Sequence, residues 1–528
     1  MSPPGRSGSV GDRLTWQAGI DPRRPFLVRV GPGGQQTVLS YHDVWLESRA
    51  MARLLTQLGV GRGDPVHVQL GNVPELLVCL FAVAHLGAVL VPTHPSSTVD
   101  DVAYVMSHAG CRVSVTALDR MPVVAAAAEM VPELAQVVTV GGAADGAICW
   151  EDVRPGLAEG ELPDARPGPG DLLAVLYTSG SSGWPKGVML THANLLFAGE
   201  AVAQLVRLRA EDRWLVTLPL SHANALLYSV MSAFVTGASA ALVPAFDPAR
   251  WAEQTRDVSA TVASLFAVHV RAVLGASPGG VDTSGLRLTL FAQHLTEHER
   301  AVFEERFATR LVQVYGLTET LAPTLCDPVH GPVVPGTVGR PTPWVRTRLV
   351  DPDGAEVAPG EAGELLVQGV PGHSLMAGYL GREADTRRIL HDGWLATGDH
   401  LRALPDGSLE FLGRAEDVLK PGVDNVSAAE VERVLLEHVS VLDAAVVGVS
   451  TPEREEHIVG FVVLRPEDDA TEAEVLAWAG DRLAAHKVPE RVVAVPALPR
   501  NAVGKVLKRQ LGTAHVPVSA APRVPPVR

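Results

Sequence analysis

The chain has 528 residues, with 44 Lys and Arg against 59 Asp and Glu, a net charge of −15. At about 150 residues per domain the length allows three or four units, though large α/β enzymes exceed that norm. A composition 47% hydrophobic and 20% charged argues against disorder, and an acidic balance without Lys/Arg blocks argues against a nucleic-acid or anionic-membrane partner.

The polar N-terminus, Met1 to Val10, has no apolar core of a signal peptide. Residues 64–70 read as a strand. A helix over 72–86 follows, capped by Asn72 with Pro74 in its first turn, and a second strand covers 87–92. This βαβ rhythm continues to about residue 320 and predicts parallel sheets with helices on their faces. Two apolar stretches, 76–91 and 225–246, are interrupted by His85 and Gly237, and each reads as a buried helix followed by a buried strand, not a membrane span. From 330 to 412, short strands such as 363–369 lie between Gly/Pro turns. Beyond Arg414 come a helix over 428–437, strands over 444–448 and 458–464, and a helix over 471–485. The expected organisation is an α/β body of αβαβα layers over 1–413 with a β-rich subdomain at 330–412. A small α+β lid over 414–514 and a flexible tail over 515–528 complete it. The four cysteines, Cys79, Cys111, Cys149 and Cys326, show no Cys-x-x-Cys spacing, so neither a disulfide framework nor a zinc site is expected, and a reducing, cytoplasmic home is the simplest expectation.

The most informative segment is Leu176-Tyr-Thr-Ser-Gly-Ser-Ser-Gly-Trp-Pro-Lys-Gly-Val188. Thr178, Ser179, Gly180, Ser181, Ser182 and Gly183 follow an apolar strand and precede Lys186. Backbone N–H groups and hydroxyls in such a loop can wrap a polyphosphate, and a lysine adds a point charge. It is not a Walker A loop, because Pro185 precedes the lysine and no Ser or Thr follows it. A surface turn is the bland alternative, but the apolar Val188-Met-Leu190 after it speaks against a linker.

This loop resembles the phosphate-binding signature of the adenylate-forming superfamily: acyl-CoA synthetases, aryl-CoA ligases, peptide-synthetase adenylation domains and luciferases. Four further segments match in order: Val314-Tyr-Gly-Leu-Thr-Glu-Thr320, Gly393-Trp-Leu-Ala-Thr-Gly-Asp399, Gly413-Arg-Ala-Glu-Asp417 and Leu498-Pro-Arg-Asn-Ala-Val-Gly-Lys505. The resemblance implies that a carboxylic acid and ATP form an acyl-adenylate, and that a thiol then displaces AMP. It assigns the phosphates to 178–183 and Lys186, Mg²⁺ to Glu319, and the α-phosphate to Thr318. Adenine falls to Tyr315 with Gly316, the ribose to Asp399 and Arg414, and catalysis to Lys505 beside Thr318 and Glu319. The residue types suit the chemistry, since nucleotidyl transfer needs positioning and charge neutralisation more than a side-chain nucleophile. Taken singly, Glu319 could be a helix N-terminal charge, Asp399 a turn residue and Lys505 a surface cation.

By the same resemblance, His222 and Leu317 border the acyl pocket, although a satisfied core histidine is an alternative for His222. Asp417 is the hinge on which the lid turns between two half-reactions. Lys420, Gly422 and Val423 lie in the segment the lid presents to coenzyme A. The sequence departs from the superfamily in three places. Where a glycine run often lies against adenine, it has Phe291-Ala-Gln-His-Leu295, so larger side chains narrow that site or Gln293 supplies its hydrogen bonds. The carnitine/crotonobetaine-CoA ligases, which this chain also resembles, lack those glycines too. Pro421 and Val423 stiffen the lid loop, and Trp184 is bulky for a phosphate loop. Ser374, in Pro371-Gly-His-Ser-Leu375, mimics a phosphopantetheine attachment site but sits inside the β-rich region.

An acyl-CoA ligase is the leading expectation, with ATP/AMP, Mg²⁺ and coenzyme A as partners of the acid. The alternatives are thioester formation from a preformed acyl-adenylate alone, or adenylation that loads a carrier protein. The apolar residues of 223–234 suggest a mainly hydrophobic acid, and the oligomeric state stays open, a homodimer included.

Overall fold

The computed structural model describes residues 8–178, 185–277, 279–414, 418–419, 426–451, 454–466, 468–483, 487–500, 506–508 and 510–511. The chain divides into two compact units, one comprising 1–397 with 402–410 and the other 398–401 with 411–528.

Two large sheets dominate the first unit. One runs in the order Gly378–Tyr379, Lys186–Thr191, Leu172–Thr178, Val89–Pro92, Pro65–Gln69, Val113–Ala117, Gln136–Val140, Ile148–Cys149. Its central strands are parallel, with Pro65–Gln69 between Val89–Pro92 and Val113–Ala117. The other sheet places Arg310–Tyr315, Leu288–Ala292, Val262–Phe266, Arg213–Val216 and Ser239–Leu242 side by side, and edge strands flank them on both sides. One apolar core joins the inner faces of both sheets through the helices Tyr41–Gln57, Pro74–Leu86 and His192–Leu205. A smaller sheet in the β-rich region orders Arg346–Val350, Ala362–Gln368, Trp394–Ala403 and Leu390–His391.

The helix Pro74–Leu86 is buried on nearly every face, which explains its continuous apolar run. Pro74 opens it and Gly87 ends it in the left-handed conformation, with φ 67°. The cap differs from the sequence expectation: Val73 is the N-cap, and Asn72 does other work. Its Nδ2 donates to the carbonyls of Leu218 at 3.0 Å and Val243 at 3.1 Å, while Oδ1 accepts from the Leu220 N–H at 2.9 Å. Asn72 therefore ties the end of a strand in one sheet to strand ends in the other. The apolar stretch 225–246 forms a π-helical turn, Asn224–Val230, a helix, Met231–Thr236, and the buried strand Ser239–Leu242. Among the described residues no helix is long and apolar enough to cross a membrane.

In the second unit, Ser427 caps the helix Ala428–Leu436 by accepting from the Glu430 N–H at 3.2 Å. Strands Val441–Thr451 and Arg454–Leu464 pair antiparallel, and Arg491–Ala494 joins the second in parallel. Both long strands exceed the five to seven residues read from sequence, because cross-strand pairing continues through positions with weaker patterns. The helix Glu472–Gly480 stops short of Ala485, at a glycine that favours helix poorly. The expected tail, 515–528, lies outside the described residues.

Two buried histidines make the first unit acid-sensitive. His67 bonds Ser114 Oγ at 2.8 Å and Thr93 Oγ1 at 2.9 Å, and burial lowers its pKa to about 3. His192 accepts from the Val10 N–H at 3.1 Å, and burial lowers its pKa to about 4. Below the ordinary histidine value the unfolded chain takes up protons that the folded one refuses, so stability is complete above about pH 6.5 and falls as pH drops. Each group contributes about 1.4 kcal/mol per pH unit until its folded pKa is reached. Urea midpoints are expected to fall steadily from pH 6.5 to pH 5; a flat profile would contradict this assignment. Asn72→Ala is expected to cost about 3 kcal/mol, because it strands several buried backbone groups, and an unshifted urea midpoint would show that the tie carries no load.

Candidate active site

The strands Leu172–Thr178 and Lys186–Thr191 are antiparallel neighbours, with Thr178 opposite Lys186. They are the two feet of the hydroxyl- and glycine-rich loop. Ser179, Gly180, Ser181, Ser182, Gly183 and Trp184 lie outside the described residues. The Lys186 side chain is only 12% exposed and lies 3.8 Å from Asp385 Oδ2. Its ammonium stands 5.0 Å from the ring centroid of Tyr379, a cation–π contact.

The second motif rises from the strand Arg310–Tyr315 into a single 3₁₀ turn, Thr318–Thr320. Thr320 Oγ1 accepts from the Leu317 N–H at 2.9 Å, fixing the start of the turn. Its end is tighter still. Leu321 has φ 66° and ψ −50°, and the Ala322 N–H reaches the Thr320 carbonyl at 2.7 Å, which makes a γ-turn. A bulky residue there costs on the order of 1–3 kcal/mol, and complete burial of Leu321 holds it in place. Glu319 is thereby set on a rigid corner.

The carboxylate of Glu319 accepts from the Tyr379 hydroxyl at 2.7 Å, and its carbonyl accepts from the Met376 N–H at 3.0 Å. Tyr379 is brought there by a two-residue strand, with Gly378 opposite Met189 and Tyr379 opposite Val188. Gly378 has φ 146°, and a Cβ on it would sit 3.1 Å from Thr386 Cγ2, so the chain approaches its neighbours here as only glycine can. Burial, then the Glu319 charge, pushes the Tyr379 phenol well above its ordinary value, so it stays a proton donor at neutral pH. One ring thus carries Lys186 on its face and Glu319 on its hydroxyl. Sequence reading did not single out Tyr379. The available signal was an aromatic residue flanked by Gly378 and Gly381.

Phe291 does not narrow the neighbouring space, as its side chain is buried in a core with Trp251, Phe303 and Phe307, beneath the Arg300 guanidinium. Gln293 adopts φ 75°, the left-handed conformation natural to glycine, and its carbonyl accepts from Gln313 Nε2 at 3.0 Å. The glycine-like backbone is kept without the glycine. Tyr315, Gly316, Leu317 and Thr318 are partly exposed at the strand end, and the Tyr315 carbonyl accepts from the Thr324 N–H at 2.7 Å. The His222 ring lies edge-on to Phe266 at 6.0 Å, and its buried Nδ1 has no hydrogen-bond partner among the described residues. Burial, with the His94 charge, lowers its pKa to about 4, so it is neutral at physiological pH. It is not a hydrogen-bonded core histidine. Ser374 is buried, and its Oγ accepts from the Val370 N–H at 2.8 Å.

In the second unit Arg414 Nε donates to the buried Asp399 Oδ1 at 2.9 Å, a charge-assisted bond. Asp417, Lys420, Gly422, Val423 and Lys505 lie outside the described residues.

An α/β body in which a lysine and a glutamate meet on one tyrosine, with a separate small α+β unit, matches a known enzyme class over most of its length. Residues 14–380 match the AMP-binding enzyme family and residues 430–505 its C-terminal domain. The chain belongs to the AMP-binding enzymes, within the adenylate-forming superfamily. It is 29% identical over 507 residues to a crotonobetaine/carnitine–CoA ligase of Salmonella arizonae, covering 94% of this chain and 98% of that one. Among solved structures, ATP-bound MatB from Rhodopseudomonas palustris is 27% identical with a TM-score of 0.85, covering 95% of this chain and 98% of that one. A benzoate CoA ligase from Burkholderia xenovorans LB400 is 26% identical with a TM-score of 0.83, covering 95% and 99% respectively.

Tyr379→Phe keeps the ring under Lys186 and removes only the hydroxyl on Glu319. The motif resemblance assigns Mg²⁺ to Glu319, and partners that orient a metal-binding group typically affect metal affinity by about 10–100-fold. The Mg²⁺ concentration that half-saturates pyrophosphate release is expected to rise by about 10-fold or more, with the melting temperature kept. An unchanged Mg²⁺ titration would remove Tyr379 from the site.

Proposed function

We propose that this AMP-binding enzyme is an acyl-CoA ligase that joins a carboxylic acid to coenzyme A through an acyl-adenylate. The observation that carries this proposal is the convergence of Lys186 and Glu319 on Tyr379 at the foot of the hydroxyl-rich loop. It is supported by relatives named as CoA ligases that align over nearly the whole chain.

In the first step a carboxylate oxygen attacks the α-phosphorus of ATP, its bond to the bridging oxygen breaks, and pyrophosphate leaves. The chain's part is to hold the phosphates and to balance their charge. Thr178 and Lys186 bracket the loop that would bind them, and Lys186, only slightly exposed, lies beside Asp385. Glu319 fits a hard divalent cation, because it offers a carboxylate whose orientation Tyr379 fixes without spending charge. Magnesium bound there supplies neutralisation of the phosphates. The motif match assigns the ribose hydroxyls to Asp399 and Arg414, and to Lys505 the stabilisation of charge on the carboxylate and α-phosphate. In the second step the thiol sulfur of coenzyme A attacks the acyl carbon, AMP leaves with the electron pair of the acyl–oxygen bond, and the thiol proton passes to solvent. Lys420, Gly422 and Val423 are assigned to this step by the same match. Four buried thiols suit a reducing, cytoplasmic compartment.

The purified chain with MgATP and a panel of carboxylic acids is expected to release pyrophosphate, and to form thioester and AMP when coenzyme A is added. Thioester from supplied acyl-adenylates alone would instead establish a thioesterification-only enzyme. Pyrophosphate release without any coenzyme A thioester would favour a carrier-protein acceptor.

A further inference from the structure

The segment after the strand Arg213–Val216 spends its apolar side chains on the core: Leu226, Leu227, Val230 and Phe234 are fully buried in the cluster that joins the two large sheets. Its polar side chains are buried as well, yet their hydrogen-bonding capacity is not used up. Tyr228 is 7% exposed, and its hydroxyl bonds none of the described groups. Asn224 is 6% exposed; its Oδ1 accepts from Ser264 Oγ at 2.8 Å, while its Nδ2 donates to none of the described groups. His222, two residues before Asn224, has the unpartnered Nδ1 already described. A buried polar group without a partner costs about 1–3 kcal/mol, and His222 Nδ1 is one; the Tyr228 hydroxyl and Asn224 Nδ2 are not sealed in the same way, so two donors on largely buried residues still face open space.

Their placement points to a function. Asn224 and Tyr228 lie four residues apart on the π-helical turn Asn224–Val230, a widened geometry frequent at functional sites. Tyr228 Oη stands 3.0 Å from the position a Cβ on Gly316 would occupy, so the glycine of the Tyr315-Gly-Leu-Thr-Glu motif leaves room for this hydroxyl. Asn224 is held by Ser264, and His222 meets Phe266, both on the strand Val262–Phe266. The three groups therefore border the carboxyl ends of neighbouring strands, where open α/β sheets bind ligands.

We propose that Asn224 and Tyr228 form a hydrogen-bonding wall of the acyl pocket, and that this wall selects a carboxylic acid carrying a neutral oxygen substituent, a hydroxyl or a carbonyl, on its acyl chain. The inference rests on the acyl-CoA ligase reading above. With Oδ1 committed to Ser264, Asn224 offers N–H, and Tyr228 offers O–H, so the complementary group is an acceptor. It is neutral because residues 214–246 contain no Asp, Glu, Lys or Arg, and a second charge on the acid would meet no counter-charge from this wall. The apolar look of residues 223–234 thus describes the core, and the acid is chosen by the two polar side chains left over.

The test uses the full chain and matched acids with and without the oxygen: butyrate, 3-hydroxybutyrate and 3-oxobutyrate; octanoate and 3-hydroxyoctanoate; benzoate and 4-hydroxybenzoate. AMP formation gives kcat/KM, and calorimetric titration of each acid in the presence of AMP gives binding without turnover. A site built to hydrogen-bond its substrate rejects the analogue lacking that group, so at least one oxygenated acid is expected to exceed its partner by about 100-fold or more. Tyr228→Phe is expected to shrink that ratio about 10-fold without lowering the melting temperature, because the hydroxyl has no protein partner to lose. The proposal is overturned if every unsubstituted acid equals or exceeds its partner, if no oxygenated acid binds, or if Tyr228→Phe leaves the ratio unchanged. Selective binding without AMP from any acid would defeat the ligase reading while upholding the wall.

Discussion

The hydrogen bond from Tyr379 to Glu319 joins residues 60 positions apart, and the geometry of the site depends on it. It forms because Gly378–Tyr379 adds itself to the edge of the strand that begins at Lys186. The strand leaving the hydroxyl-rich loop, the ring beneath Lys186 and the carboxylate of the second motif are thus locked in one register. A neutral phenol can orient a carboxylate and leave its full charge for a cation, whereas an arginine in the same place would cancel it. The strained γ-turn at Leu321 works to the same end from the other side, since the backbone that carries Glu319 has no room to relax.

Burial is used throughout to keep groups in one protonation state. His67 and His192 are held neutral inside the first unit, and the Tyr379 phenol is held protonated beside a carboxylate. His222 is neutral beside Asn224 and Tyr228, so the wall they form is polar without being charged. The separation of roles is physical. Charged groups, Lys186 and Glu319, meet on Tyr379, whereas the π-helical turn carries polar groups without charge.

Much of this was legible in the sequence because it is written in local patterns. The βαβ rhythm, the buried character of Pro74–Leu86 and the loop before Lys186 all follow from neighbours in the chain. What escaped is long-range. Asn72 looked like a helix cap because capping is a local habit of asparagine, yet its partners lie more than 140 residues away. Tyr379 had no local mark beyond two flanking glycines. Phe291 looked like an obstruction in an active-site motif, but strand alternation turns it into the core and leaves Gln293 to reproduce a glycine's backbone. The segment 223–234 is hard to read for the opposite reason. Its average is apolar, and averaging hides Asn224 and Tyr228, whose polar atoms are not all used inside the protein.

The central claim is that the acid is activated by bonding its own oxygen to the α-phosphorus of ATP. Positional isotope transfer tests it most directly: an acid substrate labelled with ¹⁸O in its carboxylate is turned over with ATP and coenzyme A, and the nucleotide product is weighed by mass spectrometry. The account predicts AMP carrying one ¹⁸O atom per thioester formed. Unlabelled AMP, or label recovered in inorganic phosphate with ADP as the nucleotide product, would contradict it.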